Sequence, residues 1–161
     1  SDEFSCAIGL ASLRRLKFTN KMRVKFIDNL IKSFVRKKIK SCEIKSFHKG
    51  YAPFFLPVFY NKNSLGISKQ KFASALQAEG IPLGINYGCV VSTWPWAKKY
   101  FKKSYKTVNA LDARNNCFHL YLHENYRFKE VRDIVKAILK IEKYYGKTKN
   151  SSLRKIYKKK N

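Results

Sequence analysis

The chain has 161 residues and carries 35 Lys and Arg against 10 Asp and Glu, a formal charge of +25, with 45% hydrophobic and 15% aromatic residues. That is enough apolar material for one core and excludes a wholly disordered chain; seven Gly and four Pro exclude a collagen-like or linker-like one. No apolar run approaches the roughly 18 residues of a membrane-crossing helix, and the opening Ser1-Asp2-Glu3 has neither a Met nor a secretory leader, so the sequence reads as a cytoplasmic piece of a longer protein.

In chain order, Phe4, Ala7, Ile8, Leu10, Ala11 and Leu13 predict a helix over 4–16 that is apolar on more than one face, as an interface helix would be. A second helix follows, with Met22, Phe26, Ile27, Leu30, Ile31, Phe34 and Val35 on one stripe and Thr19 or Asn20 as its N-cap. The pattern fails over 41–53, which reads as a loop. Residues 54–60 form a dense, β-favouring run, and Pro57 inside it demotes the strand to an edge or a bulge. A turn at 61–66 leads to a short helix capped by Ser68, with Phe72, Ala75 and Leu76 inward and Gly80 just past its end.

A second strand is expected over 81–87, an irregular aromatic stretch over 88–104 and a short helix over 107–114. The third strand is placed at 117–122. The last helix runs over 127–145, with Val131, Ile134, Val135, Ile138 and Leu139 as its stripe, Asn125 as its cap and Gly146 as its stop. The fold class is α+β: a small three-stranded sheet covered by helices on one face. Three parts are expected: 1–40 as interface and linker helices, 41–145 as a small α+β domain, and 146–161 as a basic, disordered tail.

The chemistry-bearing residues are sparse. Arg supplies only 8 of the 35 cations, and the rest are spread along the chain, so lysine-rich helix faces explain the charge better than a nucleic-acid footprint. A basic module binding RNA or DNA stays as the alternative. Cys6, Cys42, Cys89 and Cys117 form no CxxC pair and read as reduced thiols. His119, Tyr121 and His123 share a strand face beside Glu124, but no third ligand is placed, so no metal site is assigned. His48 reads as a solvated residue. Trp94-Pro95-Trp96 could stack on a base or a sugar, yet reads more simply as a loop pinned by its own aromatics. There is no nucleophile elbow, phosphate loop or spaced carboxylate pair.

Four stretches, taken in order, resemble the DegT/DnrJ/StrS sugar aminotransferases. They are Asp2-Glu3-Phe4-Ser5-Cys6-Ala7-Ile8-Gly9-Leu10-Ala11-Ser12-Leu13-Arg14-Arg15-Leu16, Met22-Arg23, Gly80-Ile81-Pro82-Leu83-Gly84-Ile85-Asn86-Tyr87, and Phe118-His119-Leu120-Tyr121-Leu122-His123-Glu124-Asn125-Tyr126. The resemblance spans about 1–145. It implies the C-terminal small domain of a fold-type I enzyme that uses pyridoxal 5'-phosphate (PLP). Such an enzyme passes an amino group from glutamate or glutamine to a keto group of a nucleotide-linked sugar, for amino-sugar or surface-polysaccharide biosynthesis, and works as a homodimer. Sugar dehydratases of the same superfamily are the second branch.

The resemblance further implies that the Schiff-base lysine and most PLP contacts lie outside this chain. No catalytic residue is therefore assigned here, and the fragment alone is expected to be inactive. Asn86 and Tyr87 carry over as substrate-binding residues, with Asn86 standing where many members have a histidine. Ser1 and Asp2 would lie toward the cofactor end of the interface helix.

Overall fold

The computed structural model describes residues 2–45, 50–101 and 105–158, with side chains described as far as 146. His48 and Ser1 lie outside the described residues.

The first element is one helix, α1 (Glu3–Lys37), where the sequence suggested two. Asp2 caps it, its carboxylate accepting from Ser5 N at 2.7 Å, and that bond holds the Asp2 carboxyl below its usual range. Neither Pro nor Gly interrupts the chain at Thr19-Asn20, so the backbone ladder continues through the expected break. What changes there is the surroundings. Phe26, Ile27, Leu30 and Phe34 are buried, whereas Phe4, Ile8, Leu13 and Phe18 are exposed.

After α1, the backbone N–H groups of Lys40 and Ser41 donate to the Glu142 carboxylate at 2.9 and 2.7 Å. This anchors a two-residue strand, β1 (Cys42–Glu43), inside the stretch read as loop. Then come β2 (Phe55–Tyr60), a one-turn helix α2 (Lys62–Leu65) in place of the expected turn, and α3 (Lys69–Ala78), where the Ser68 hydroxyl accepts from Lys71 N at 3.1 Å. Gly80 has φ +85°, as a residue past a helix end requires. β3 (Leu83–Gly84) is far shorter than predicted. Short 3-10 turns at Val91–Thr93 and Lys98–Tyr100 precede α4 (Val108–Asn116) and β4 (Cys117–Tyr121).

The last helix, α5, spans Phe128–Lys158 and so runs through Gly146 into the segment read as tail. Its start is held by Glu130, not Asn125. Arg127 N donates to the Glu130 carboxylate at 2.6 Å, which holds that carboxyl below its usual range.

Among the described residues the sheet has four strands, not three, in the order β1-β2-β4-β3, and every pair is antiparallel. β2 is therefore internal, contrary to the edge reading. Pro57 is tolerated because β1 pairs only with Phe59 and Tyr60, so its missing donor falls where β1 has already ended. Leu56, Val58 and Tyr60 of β2, with Phe118 and Leu120 of β4, point into the core alongside Phe72, Leu76, Val131 and Ile138. Tyr60 stacks on Phe72 at 4.9 Å between ring centroids, and Phe72 meets Phe118 at 5.9 Å. The alternate residues Phe55, Pro57, Phe59, Cys117, His119 and Tyr121 lie on the other, partly open face.

Candidate functional site

On that open face Phe55, Tyr87, His119 and Tyr121 form an aromatic floor. Phe55 lies 5.2 Å from Tyr87 and 5.1 Å from His119, and His119 is 5.6 Å from Tyr121. The register pairs His119 with Gly84 across β3 and β4. A methyl group on Gly84 would stand 2.0 Å from His119 Nε2, so the imidazole lies over the strand only because glycine is there. Burial, and then the neighbouring Lys69 cation, push the His119 pKa down, and its Nδ1 is buried with no hydrogen-bond partner among the described residues.

Asn86 and Tyr87 follow β3 and are exposed at one end of this floor. Asn86 is held by a residue that the sequence did not single out. Lys69, the first residue of α3, donates from Nζ to Asn86 Oδ1 and Ile85 O, both at 2.9 Å, to Cys117 O at 3.1 Å and to Arg114 O at 3.3 Å. Burial lowers the Lys69 pKa; the Cys117 thiol works against this and Arg114 adds to it. Among 27 lysines nothing in composition marks Lys69, and its position directly after the Ser68 cap was the available signal. The hydrogen bond that Tyr87 makes through its hydroxyl to Cys89 sulfur, and then the charge of Cys89, push the Tyr87 hydroxyl up.

The other candidates have local duties. His123 lies beyond β4, and its Nδ1 accepts from Asn125 N at 3.1 Å. Glu124 sits 3.3 Å from Arg15 and 3.8 Å from Arg23. Among the described residues no three His, Cys, Asp or Glu side chains converge as metal ligands. Trp94 Nε1 donates to Gly88 O at 3.1 Å, which ties the aromatic loop to itself. Asp112 accepts from Asn116, Asp133 pairs with Lys129, and Glu79 pairs with Lys140 at 2.7 Å. All four cysteines are free thiols; Cys6 and Cys89 are exposed, while burial pushes the Cys42 thiol up to about 12. No helix among the described residues is long and apolar enough to cross a membrane.

Three solved structures illustrate what this fold is similar to. An aminotransferase from Psychrobacter cryohalolentis superposes with a TM-score of 0.72 at 12% identity, over 87% of this chain and 38% of that one. An E. coli GDP-4-keto-6-deoxy-D-mannose-3-dehydratase with bound hydrated PLP gives 0.67 at 20% identity, over 82% and 34%. A DegT DnrJ EryC1 StrS aminotransferase from Brucella abortus gives 0.65 at 18% identity, over 83% and 34%. The chain thus spans little more than a third of the length of these structures. No protein of curated function matches by sequence. The profile of the DegT/DnrJ/EryC1/StrS aminotransferase family matches residues 2–139, and the chain belongs to that family.

Proposed function

We propose that this chain is the C-terminal part of a longer PLP-dependent enzyme that moves an amino group from glutamate or glutamine onto a keto group of a nucleotide-linked sugar. The observation that carries the reading is the family match over residues 2–139, in a chain about a third as long as the structures it resembles. On this reading, residues 1–40 supply interface and linker helix, 41–145 are the small domain, and 146–161 are a basic appendage. The full protein is a cytoplasmic homodimer that serves amino-sugar or surface-polysaccharide synthesis. A sugar dehydratase is the second reading, favoured by the similarity to the E. coli 3-dehydratase.

The described residues of this chain do not by themselves fit PLP. Lys69, the lysine that burial shifts, has its ammonium against four oxygens and has no amine free for a carbonyl. Glu124 and Glu79 are tied to arginine and lysine, Glu142 to backbone N–H groups and Asp112 to the Asn116 amide. The covalent lysine and the cradle belong to the preceding part of the polypeptide, so the fragment alone is inactive. When bound there, PLP supplies the electron sink for the transfer. This chain supplies the open sheet face, where Asn86 presents a hydrogen-bonding group and Tyr87 a ring edge to the sugar.

Expressing the reading frame extended upstream and recording its visible spectrum tests the proposal. A bound-PLP absorbance that glutamate discharges supports the transferase. A band that glutamate leaves unmoved shifts the reading to another donor or to the dehydratase. Absence of any PLP band overturns both.

A further inference from the structure

We propose that Lys69 is the positioning residue of this site: its ammonium locks the Asn86 side chain so that only N–H donors face the substrate. The inference rests on the proposed role of Asn86 and names what that residue recognises, an oxygen acceptor on the sugar, either a hydroxyl or a keto oxygen.

The geometry carries it in three steps. An ammonium has three N–H groups and no acceptor. Its three shortest contacts are Ile85 O, Asn86 Oδ1 and Cys117 O at 2.9, 2.9 and 3.1 Å, with Arg114 O a fourth at 3.3 Å. Arg114 lies in the last turn of α4, whose carbonyls lack helical partners and favour a cation. The lysine is therefore held by the exit of β3, the end of α4 and the start of β4 together. Among the described residues no carboxylate takes part, and these four acceptors are carbonyl and amide dipoles.

Asn86 contributes the one side chain among the four acceptors, and facing a donor it must turn its oxygen inward. That fixes the amide orientation by chemistry. Nδ2 then points away from Lys69, and among the described residues no hydrogen bond uses it. A free asparagine would flip to suit either a donor or an acceptor; this one offers two N–H groups and nothing else. A ligand hydroxyl meets it as an acceptor, and a protonated ligand nitrogen finds no partner.

The test needs neither cofactor nor sugar, so its failure is separable from failure of the aminotransferase reading. In 15N-labelled chain at pH 7, the Lys69 ammonium signal should be visible while surface lysine ammonium protons exchange away, and the Asn86 side-chain amide should give two dispersed proton shifts. In Lys69→Met the two shifts should collapse toward those of a solvated asparagine, with the β2 and β4 backbone peaks unmoved; in Lys69→Arg they should stay dispersed. An Asn86 amide unchanged in Lys69→Met overturns the proposal, as does a wild-type Lys69 ammonium that exchanges like a surface lysine, a measurement that stands even if Lys69→Met fails to fold. In the upstream-extended protein, loss of the lock should raise KM for the nucleotide-linked sugar about five- to ten-fold, the worth of one neutral hydrogen bond, with kcat less affected. A kcat loss with KM unmoved would likewise overturn it.

Discussion

Gly84 and His119 face each other across β3 and β4 with no space between them for a methyl group. Nothing in the Gly84 backbone demands glycine, since its φ is not positive; the constraint comes from the imidazole above it. Gly84→Ala should therefore destabilise the chain by about 1–3 kcal/mol, the usual cost of overpacking. His119→Ala in the same chain should recover most of that loss. Urea denaturation of the two single variants and the double variant checks this, and additive effects would refute the contact. His119 makes a second expectation. Its folded pKa is depressed by burial, so the unfolded chain takes up the proton first. Stability is fully present above the unfolded value near 6.5 and should fall as the pH drops from there through the lower folded value. His119→Leu should flatten that part of the stability curve between pH 7 and 5. Sequence spacing put His119 and Tyr121 on one face of a strand, and their rings do meet there. The same spacing could not show that Gly84 and Lys69 set the surroundings of that face, because both act from other elements.

At the scale of elements, legibility followed length. The six-residue run of β2 was readable as a dense, β-favouring apolar run, although its alternation of buried and half-buried positions shows only in the structure. β1 and β3 have two residues each, too few for any period, and they exist because β2 and β4 offer edges to pair with. Pro57 pointed to an edge strand; the edge is real but local, made by the shortness of β1. The helices misled in the opposite direction. In α1 the apolar pattern passes from several faces before Thr19-Asn20 to a single stripe after them, and two good capping residues sit at that point. Caps open a helix only where the preceding residues are not already helical, and here both halves are strong helix formers with no glycine or proline between them. In α5, Gly146 could have ended the helix, but a single glycine costs only about 1 kcal/mol in a helix interior, and the helix continues to Lys158.

The whole molecule shows a mismatch between its two most visible surfaces. The excess of +25 leaves most cations without a carboxylate, since several of the ten acids are already tied to arginine, lysine or backbone N–H groups. Copies of this chain repel one another at low salt. Yet the first half of α1 leaves Phe4 84%, Ile8 68% and Leu13 67% exposed on more than one of its faces, apolar surface that a folded protein ordinarily covers. Self-association through that surface would bring like charges together. On the proposed function, the cover would be the rest of the longer polypeptide. Amide hydrogen exchange separates the two situations. In the 161-residue chain, amides from Phe26 to Phe34 should be strongly protected and those before Leu16 should exchange fast, although both lie in one helix. In the upstream-extended protein the early amides should slow to match. Ile8→Glu with Leu13→Glu should then leave the isolated chain's stability nearly unchanged, while lowering the melting temperature of the extended protein and returning fast exchange to the start of α1. Equal protection of the early amides in both forms would mean that this surface is covered without the rest of the polypeptide, and would remove the argument that this helix is its docking surface.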